Sequence, residues 1–188
     1  MFRKIVFTIM VLTLWPAMAP AEIADSGANG FTIKIVTTIK AAPADVYKKL
    51  VNNVGDWWSP QHTFSGDAHN LSIEEKPMGC FCEKLPNGGG VRHMEVIFFA
   101  AGKTLRMSGV IGPFQERGAT GTITFTFTPD KDGTKLEVTY AIVGYQPQGV
   151  NSWAAPYDRV LTEQLTRLKN YVETGNPAGA AKEEKKPA

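Results

Sequence analysis

Two cysteines separated by one residue, Cys80 and Cys82, are the only ones in the chain. On a strand this spacing puts both thiols on one face, with their Cα atoms about 7 Å apart. A disulfide usually spans about 4.4–6.8 Å, so bridging the pair would bend the strand, whereas an oxidising compartment would favour the bond. Three chemistries are open: two small buried residues with free thiols, which the spacing favours; a strained redox pair; or two ligands of a metal. Zinc normally takes four ligands, and neither a Cys-x-x-Cys nor a paired histidine spacing accompanies these two. No metal site and no cofactor is expected.

Proton transfer has one candidate pair, His93 and Glu83. A carboxylate beside an imidazole orients the ring and raises its pKa, the arrangement of a general acid or base. The pair can act only if both side chains lie inside the fold; on an outer face it is a cross-strand ion pair. Trp57, Trp58 and Phe64 offer ring surfaces suited to a planar or acyl ligand, and Tyr140 and Tyr145 offer hydroxyls. His62 and His69 fall in a polar loop, where a surface role is expected. The Gly-Pro-Phe-Gln segment at 112–115 is a turn assigned to the mouth of a cavity.

These residues must be positioned by a sheet and one long helix. Residues 31–40 alternate apolar and polar, the mark of a half-buried strand. Pro43 then opens a short helix carrying Val46, Tyr47, Leu50, Val51 and Val54, Gly55 marks a break, and a second short aromatic segment covers 56–59. Six further strands are predicted at 71–75, 80–85, 91–99, 104–110, 122–128 and 135–143. Pro86-Asn87-Gly88, Ala101-Gly102 and Asp132-Gly133 supply the turn chemistry between them. The last two strands place Ile123, Phe125 and Phe127, and Leu136, Val138, Tyr140 and Ile142, on one apolar face. That face needs a cover. Trp153, Tyr157, Val160, Leu161, Leu165, Leu168 and Val172 recur at helical spacing and supply it, up to Gly175 and Pro177. The expected architecture is α+β: a curved seven-stranded antiparallel sheet around a long C-terminal helix, with two short helices after the first strand and an apolar cavity between sheet and helix.

Hairpin registers assign faces. A two-residue Ala101-Gly102 turn pairs Phe98 with Leu105 and Val96 with Met107, and pairing across 86–90 sets Met94 opposite Cys82. Cys80, Cys82, Met94, Val96, Phe98, Leu105 and Met107 then line the cavity. Phe125, Tyr140, Trp153, Leu161 and Leu165 complete its wall, and Trp57, Trp58 and Phe64 close one end. In this register Glu83, His93 and Glu95 face outward, and a slip of one residue reverses every side chain.

The ends set the compartment. Arg3 and Lys4 precede an apolar run over 5–15 and a small-residue region over 16–21, the pattern of a signal peptide cleaved after Ala21. The run is about a dozen residues, short of the roughly 20 that span a bilayer. Residues 1–21 are therefore read as a signal peptide, 22–30 as a linker, 31–175 as the domain and 176–188 as a disordered tail. A periplasmic or secreted location follows, with no stable membrane anchor after signal removal. The formal net charge of +2 is carried by Arg3 and Lys4. Both signs are interspersed in the remainder, which argues against a nucleic-acid partner.

The order of strand, two short helices, six strands and long amphipathic helix resembles the START-like SRPBCC superfamily, the helix-grip fold, over about residues 31–174. The Ala-Pro-Ala-Asp-Val-Tyr segment at 42–47 is similar to the family's opening, and Val-Gly-Asp-Trp-Trp-Ser-Pro at 54–60 to its tryptophan-bearing second helix. The polyketide cyclase/dehydrase-like and heat-shock-protein ATPase activator-like branches are the nearest. The resemblance implies carriage or sequestration of a small hydrophobic or amphipathic molecule, here outside the cytoplasm. The alternative is a cofactor-free cyclase or hydrolase in the same cavity, with His93, Glu83 or a tyrosine transferring protons.

Overall fold

A computed structural model of the chain describes residues 22–179. The expected signal peptide and the tail beyond residue 179 lie outside the described residues.

The alternating segments form strands, and their apolar positions are buried. Strand β2 (Gly30–Ile39) buries Phe31, Ile33, Ile35 and Ile39. Strands β7 (Thr120–Asp130) and β8 (Gly133–Val143) bury the seven apolar side chains that their sequence alternation sets on one face. With β1 (Glu22–Gly27), β3 (Leu71–Ile73), β4 (Cys80–Lys84), β5 (Gly90–Ala100) and β6 (Thr104–Gly109) they make one sheet. Its order is β1-β2-β8-β7-β6-β5-β4-β3, and every neighbouring pair is antiparallel.

The sheet thus has eight strands where seven are expected, because the first part of the expected linker pairs with β2 in a tight hairpin, Gly27 opposite Gly30. Residues 23–27 of β1 are exposed. An edge strand held by backbone hydrogen bonds leaves no apolar alternation to read.

Helix α1 (Pro43–Asn52) starts on Pro43, where a missing N–H costs nothing, and buries Val46, Tyr47, Leu50 and Val51. The chain breaks at Asn53 and not at Gly55, which lies inside the four-residue helix α2 (Val54–Trp57). Gly55 serves close packing: a Cβ there would stand 2.9 Å from the His69 Cα.

Helix α3 (Ala154–Thr174) crosses the concave face and ends at Gly175, left-handed with φ 77°. Among the described residues no helix is long and apolar enough to cross a membrane. Two polar side chains of α3 hold the tryptophan-bearing loop. Gln164 Oε1 accepts the Ser59 N–H at 2.8 Å, and Arg167 Nε donates to the Trp57 carbonyl at 2.9 Å.

The centre of the sheet–helix contact is filled. Trp57, Met94, Met107, Phe125, Leu161 and Leu165 surround a void of only ≈ 20 Å³, room for about one water. The cavity expected there is closed because long side chains from both layers interdigitate at the density of a normal core.

Candidate functional site

The site grows out of an irregularity in β5. Paired with β4, Phe81 lies opposite Met94 and Cys82 opposite Arg92, so His93 is an extra residue, a β-bulge. A bulge lets two successive side chains point the same way. His93 and Met94 are accordingly both buried, while Arg92 is exposed. A second bulge at Ile97 sets Phe98 opposite Arg106 and Phe99 opposite Leu105. Phe98 is thereby turned out, 48 % exposed, with the Arg106 guanidinium over its ring. Of the expected pairings, Val96 with Met107 holds.

On β4 the faces are the reverse of those expected. Phe81 and Glu83 point inward, and Cys80 and Cys82 lie half-buried on the other face, lining no cavity. The two cysteines are bonded to each other, with Cα atoms 5.2 Å apart, in place of the expected free thiols. The Cα separation is contracted from the regular strand value into the range a disulfide spans.

Glu83 is 1 % and His93 6 % exposed. The outward placement expected for them is overturned by the bulge. His93 Nε2 and Glu83 Oε2 are 2.9 Å apart, and Glu83 Oε1 accepts the Ser65 N–H at 2.5 Å. Burial pushes the Glu83 carboxyl up, but the hydrogen bonds it accepts from Ser65, the Phe64 backbone and His93 outweigh this and hold it below its ordinary value. Burial pulls the His93 ring down, and the upward pull of Glu83 is the smaller effect. The expected upward shift is therefore reversed. A neutral imidazole beside an ionised carboxylate donates Nε2–H to Glu83, which leaves Nδ1 as the unprotonated acceptor. Nδ1 is buried and has no hydrogen-bond partner among the described residues.

His93 lines a cavity of ≈ 350 Å³ at one end of the sheet–helix contact. Phe81 and Leu71 form its floor, and Trp58, His62 and Phe64 come from the loop after α2. Trp153, Tyr157 and Val160 enter from the start of α3, and Ile111–Pro113 from the loop after β6. Aromatic packing fixes the walls. Phe81 lies 5.7 Å from Trp58 and 5.2 Å from His93, ring centre to ring centre, and Phe64 stacks on His93 at 5.9 Å. The loop at 111–113 is pinned from both sides: the Ile111 N–H donates to the Tyr140 hydroxyl at 3.3 Å, and the Tyr157 hydroxyl donates to the Ile111 carbonyl at 2.5 Å.

Gly109 keeps the bulge in place. It sits opposite Met94 with φ 133°, and a Cβ would lie 2.7 Å from the His93 carbonyl oxygen. Gly109→Ala is expected to lose about 2–3 kcal/mol in chemical denaturation; unchanged stability would show that the bulge does not need the close approach.

Among the described residues no group of three or more His, Cys, Asp or Glu side chains converges to hold a metal ion. A family described as polyketide cyclase / dehydrase and lipid transport matches residues 31–173. The chain belongs to this family. No curated protein matches it by sequence.

Solved structures share the fold of this polyketide cyclase/dehydrase-family protein. A conserved protein of unknown function from Enterococcus faecalis is 16 % identical, with a TM-score of 0.56 over 88 % of this chain and 82 % of its own. A protein from Arthrobacter aurescens is 14 % identical, with a TM-score of 0.57 over 92 % of this chain and 100 % of its own. CalU16 from Micromonospora echinospora is 14 % identical, with a TM-score of 0.55 over 86 % and 85 %. At these identities the likeness is one of fold.

In this family member the cavity collects Trp58, Phe64, Trp153 and His93 from among the expected site residues. Trp57, Met94, Met107, Phe125, Leu161 and Leu165 surround the small internal void instead. Val96 and Tyr140 are buried and line neither, although Tyr140 supports the cavity wall through Ile111. The expected turn at 112–115 is the start of a 3-10 helix, Gly112–Arg117, and its Gly112 and Pro113 line the cavity. His62, expected as a surface residue, is on the rim and bonds Glu163 at 3.0 Å. Phe81 and Tyr157 were not singled out as site residues. For Phe81 a signal existed: on a half-buried strand the large aromatic, rather than the smaller cysteines flanking it, marks the inner face.

Proposed function

We propose that the protein binds a small, neutral, amphipathic molecule in the end cavity, outside the cytoplasm. The observation that carries this reading is a ≈ 350 Å³ aromatic-walled cavity with one buried acceptor side chain in its wall, His93, whose Nδ1 has no hydrogen-bond partner among the described residues. That volume lies at the lower end of the range for small-molecule sites, about 300–1,000 Å³. No lysine or arginine lines the cavity, and Glu116 does. A carboxylate ligand would therefore find no Lys or Arg in the lining itself, whereas a hydroxyl could donate to Nδ1.

The test is calorimetry with 2-naphthol and 2-methoxynaphthalene. The phenol is expected to bind about tenfold more tightly, since the ether leaves the buried Nδ1 unpaired. No binding of either would defeat the reading.

Export is supported by the N-terminal sequence pattern and by the bonded cysteine pair, a state that oxidising compartments maintain. The mature N-terminus is expected at Glu22, and N-terminal sequencing of the native protein checks it.

The His93–Glu83 pair favours a second reading, a cofactor-free enzyme in the same cavity, with Nδ1 as general base and Glu83 fixing the tautomer. Hydrolysis of 2-naphthyl acetate that His93→Gln abolishes would select this reading, and tight binding of 2-naphthol without turnover of the ester would select the first.

A further inference from the structure

The disulfide, the bulge and the cavity acceptor lie along one short stretch of paired backbone. In a regular strand the Cα atoms of residues i and i+2 are about 7 Å apart; between Cys80 and Cys82 they are 5.2 Å apart. The two cysteines lie opposite Glu95 and Arg92, so this contracted span of β4 faces the span of β5 that carries the extra residue, His93. The strand that carries the extra residue bends and twists more strongly at a bulge, and the contracted span of β4 lies opposite that bend.

The inner face of the same stretch holds His93. Phe81, between the bonded cysteines, packs on the His93 ring at 5.2 Å, and Glu83, next to Cys82, bonds its Nε2 at 2.9 Å. Both contacts are made by residues within or next to the bridged span, Phe81 between the cysteines and Glu83 after Cys82. On the far side the bulge meets β6 at Gly109, opposite Met94, and the Gln115 amide donates to the Arg92 carbonyl at 3.1 Å. Both half-buried sulfurs lie on the sheet face away from the cavity, so a covalent event outside acts on a ring inside.

We propose that the Cys80–Cys82 bond positions His93 in the cavity, and that opening it with a dithiol weakens ligand binding. A thiolate of the dithiol attacks one cysteine sulfur, breaks the Cys80–Cys82 bond and expels the other cysteine as a thiolate; the reagent's second thiol then attacks the mixed disulfide and expels the remaining cysteine. Two electrons and two protons pass to Cys80 and Cys82, which become free thiols, and the dithiol leaves as its own disulfide. The two Cα atoms are then free to separate toward regular strand spacing, and Phe81 and Glu83 shift with them. The cysteines act through His93 and do not touch the ligand. The inference rests on the reading of the end cavity as a ligand site.

The test compares the oxidised protein, the dithiol-reduced protein and the Cys80→Ser/Cys82→Ser double variant. Mass spectrometry establishes the redox state, calorimetry measures 2-naphthol binding, and NMR follows the His93 ring resonances. Reduction is expected to weaken binding about tenfold, the loss of one buried hydrogen bond's alignment, and to move the His93 resonances while circular dichroism stays native. The double variant should match the reduced protein and ignore the dithiol. Unchanged affinity together with unmoved His93 resonances in fully reduced protein would overturn the proposal, as would unfolding on reduction, which would make the bond merely structural. If the double variant does not fold, the wild-type reduction decides. If the oxidised protein does not bind 2-naphthol, the cavity reading fails by itself, and a His93 shift on reduction still establishes the positioning.

Discussion

Replacing Val160 by tryptophan is expected to weaken 2-naphthol binding at least a hundredfold while the fold stays intact. Val160 is half-buried on α3 and its side chain borders the end cavity. An indole at this position grows into empty space and occupies the volume a ligand needs. Because no packed neighbour is displaced, the loss of stability should stay below about 1 kcal/mol.

The neighbouring position makes the contrast. Leu161 points into the filled interior and is 4 % exposed. Leu161→Ala should cost about 2–5 kcal/mol and leave the affinity of the remaining folded protein near that of the wild type. Calorimetry on both variants, with denaturation curves for each, separates a site at the end of the sheet from one at its centre. Unaltered binding by Val160→Trp would remove the end cavity as the site.

Glu83→Ala should destabilise the fold by about 1–3 kcal/mol, the cost of a buried donor left without its acceptor. The carboxylate is fully covered, and it accepts hydrogen bonds from Ser65 and His93. Truncation leaves the buried His93 Nε2–H without its acceptor, while the part-buried Ser65 N–H is released to solvent.

The pH dependence of stability reports the same pair. The folded-state values of His93 and Glu83 both lie below their ordinary values of 6.5 and 4.5. As pH falls below 6.5 the unfolded chain takes up a proton at residue 93 before the folded protein does, so stability declines. Below 4.5 the unfolded chain likewise protonates residue 83 first, and the decline continues as pH falls through the folded value of Glu83. His93→Gln should remove the first stage and Glu83→Gln the second. Urea denaturation from pH 8 to pH 3 measures both, and identical slopes in the wild type and His93→Gln between pH 7 and pH 5 would show that His93 titrates normally.

Much of the scaffold is legible in the residues because it is local. Two-residue alternation over 31–40, 122–128 and 135–143 returns β2, β7 and β8 with their inner faces correct, and three- and four-residue spacing returns α3 and its buried stripe. The turn at Pro86–Gly88 shows the positive φ its sequence calls for, at Asn87 and Gly88. Strand β1 leaves no such trace, since an exposed edge strand is selected by backbone pairing and carries no apolar rhythm.

The site is where local reading stops. Alternation along β4 and β5 offers two registers, each with every other side chain inward, and the protein adopts neither throughout. The bulge at His93 lets β5 present one set of residues on one side of that point and the other set beyond it, so Met94 and His93 are both inside. A bulge is a property of two strands and of what they pack against, here Phe81, the Glu83 carboxylate and the approach of Gly109. The sequence by itself determined the layers, their order and the residues able to do chemistry. Tertiary structure alone decided that the centre of the contact closes, that the cavity opens at its end and that the imidazole joins the wall of that cavity. Those outcomes depend on how side chains distant in the chain fill the same volume, which no short-range pattern records.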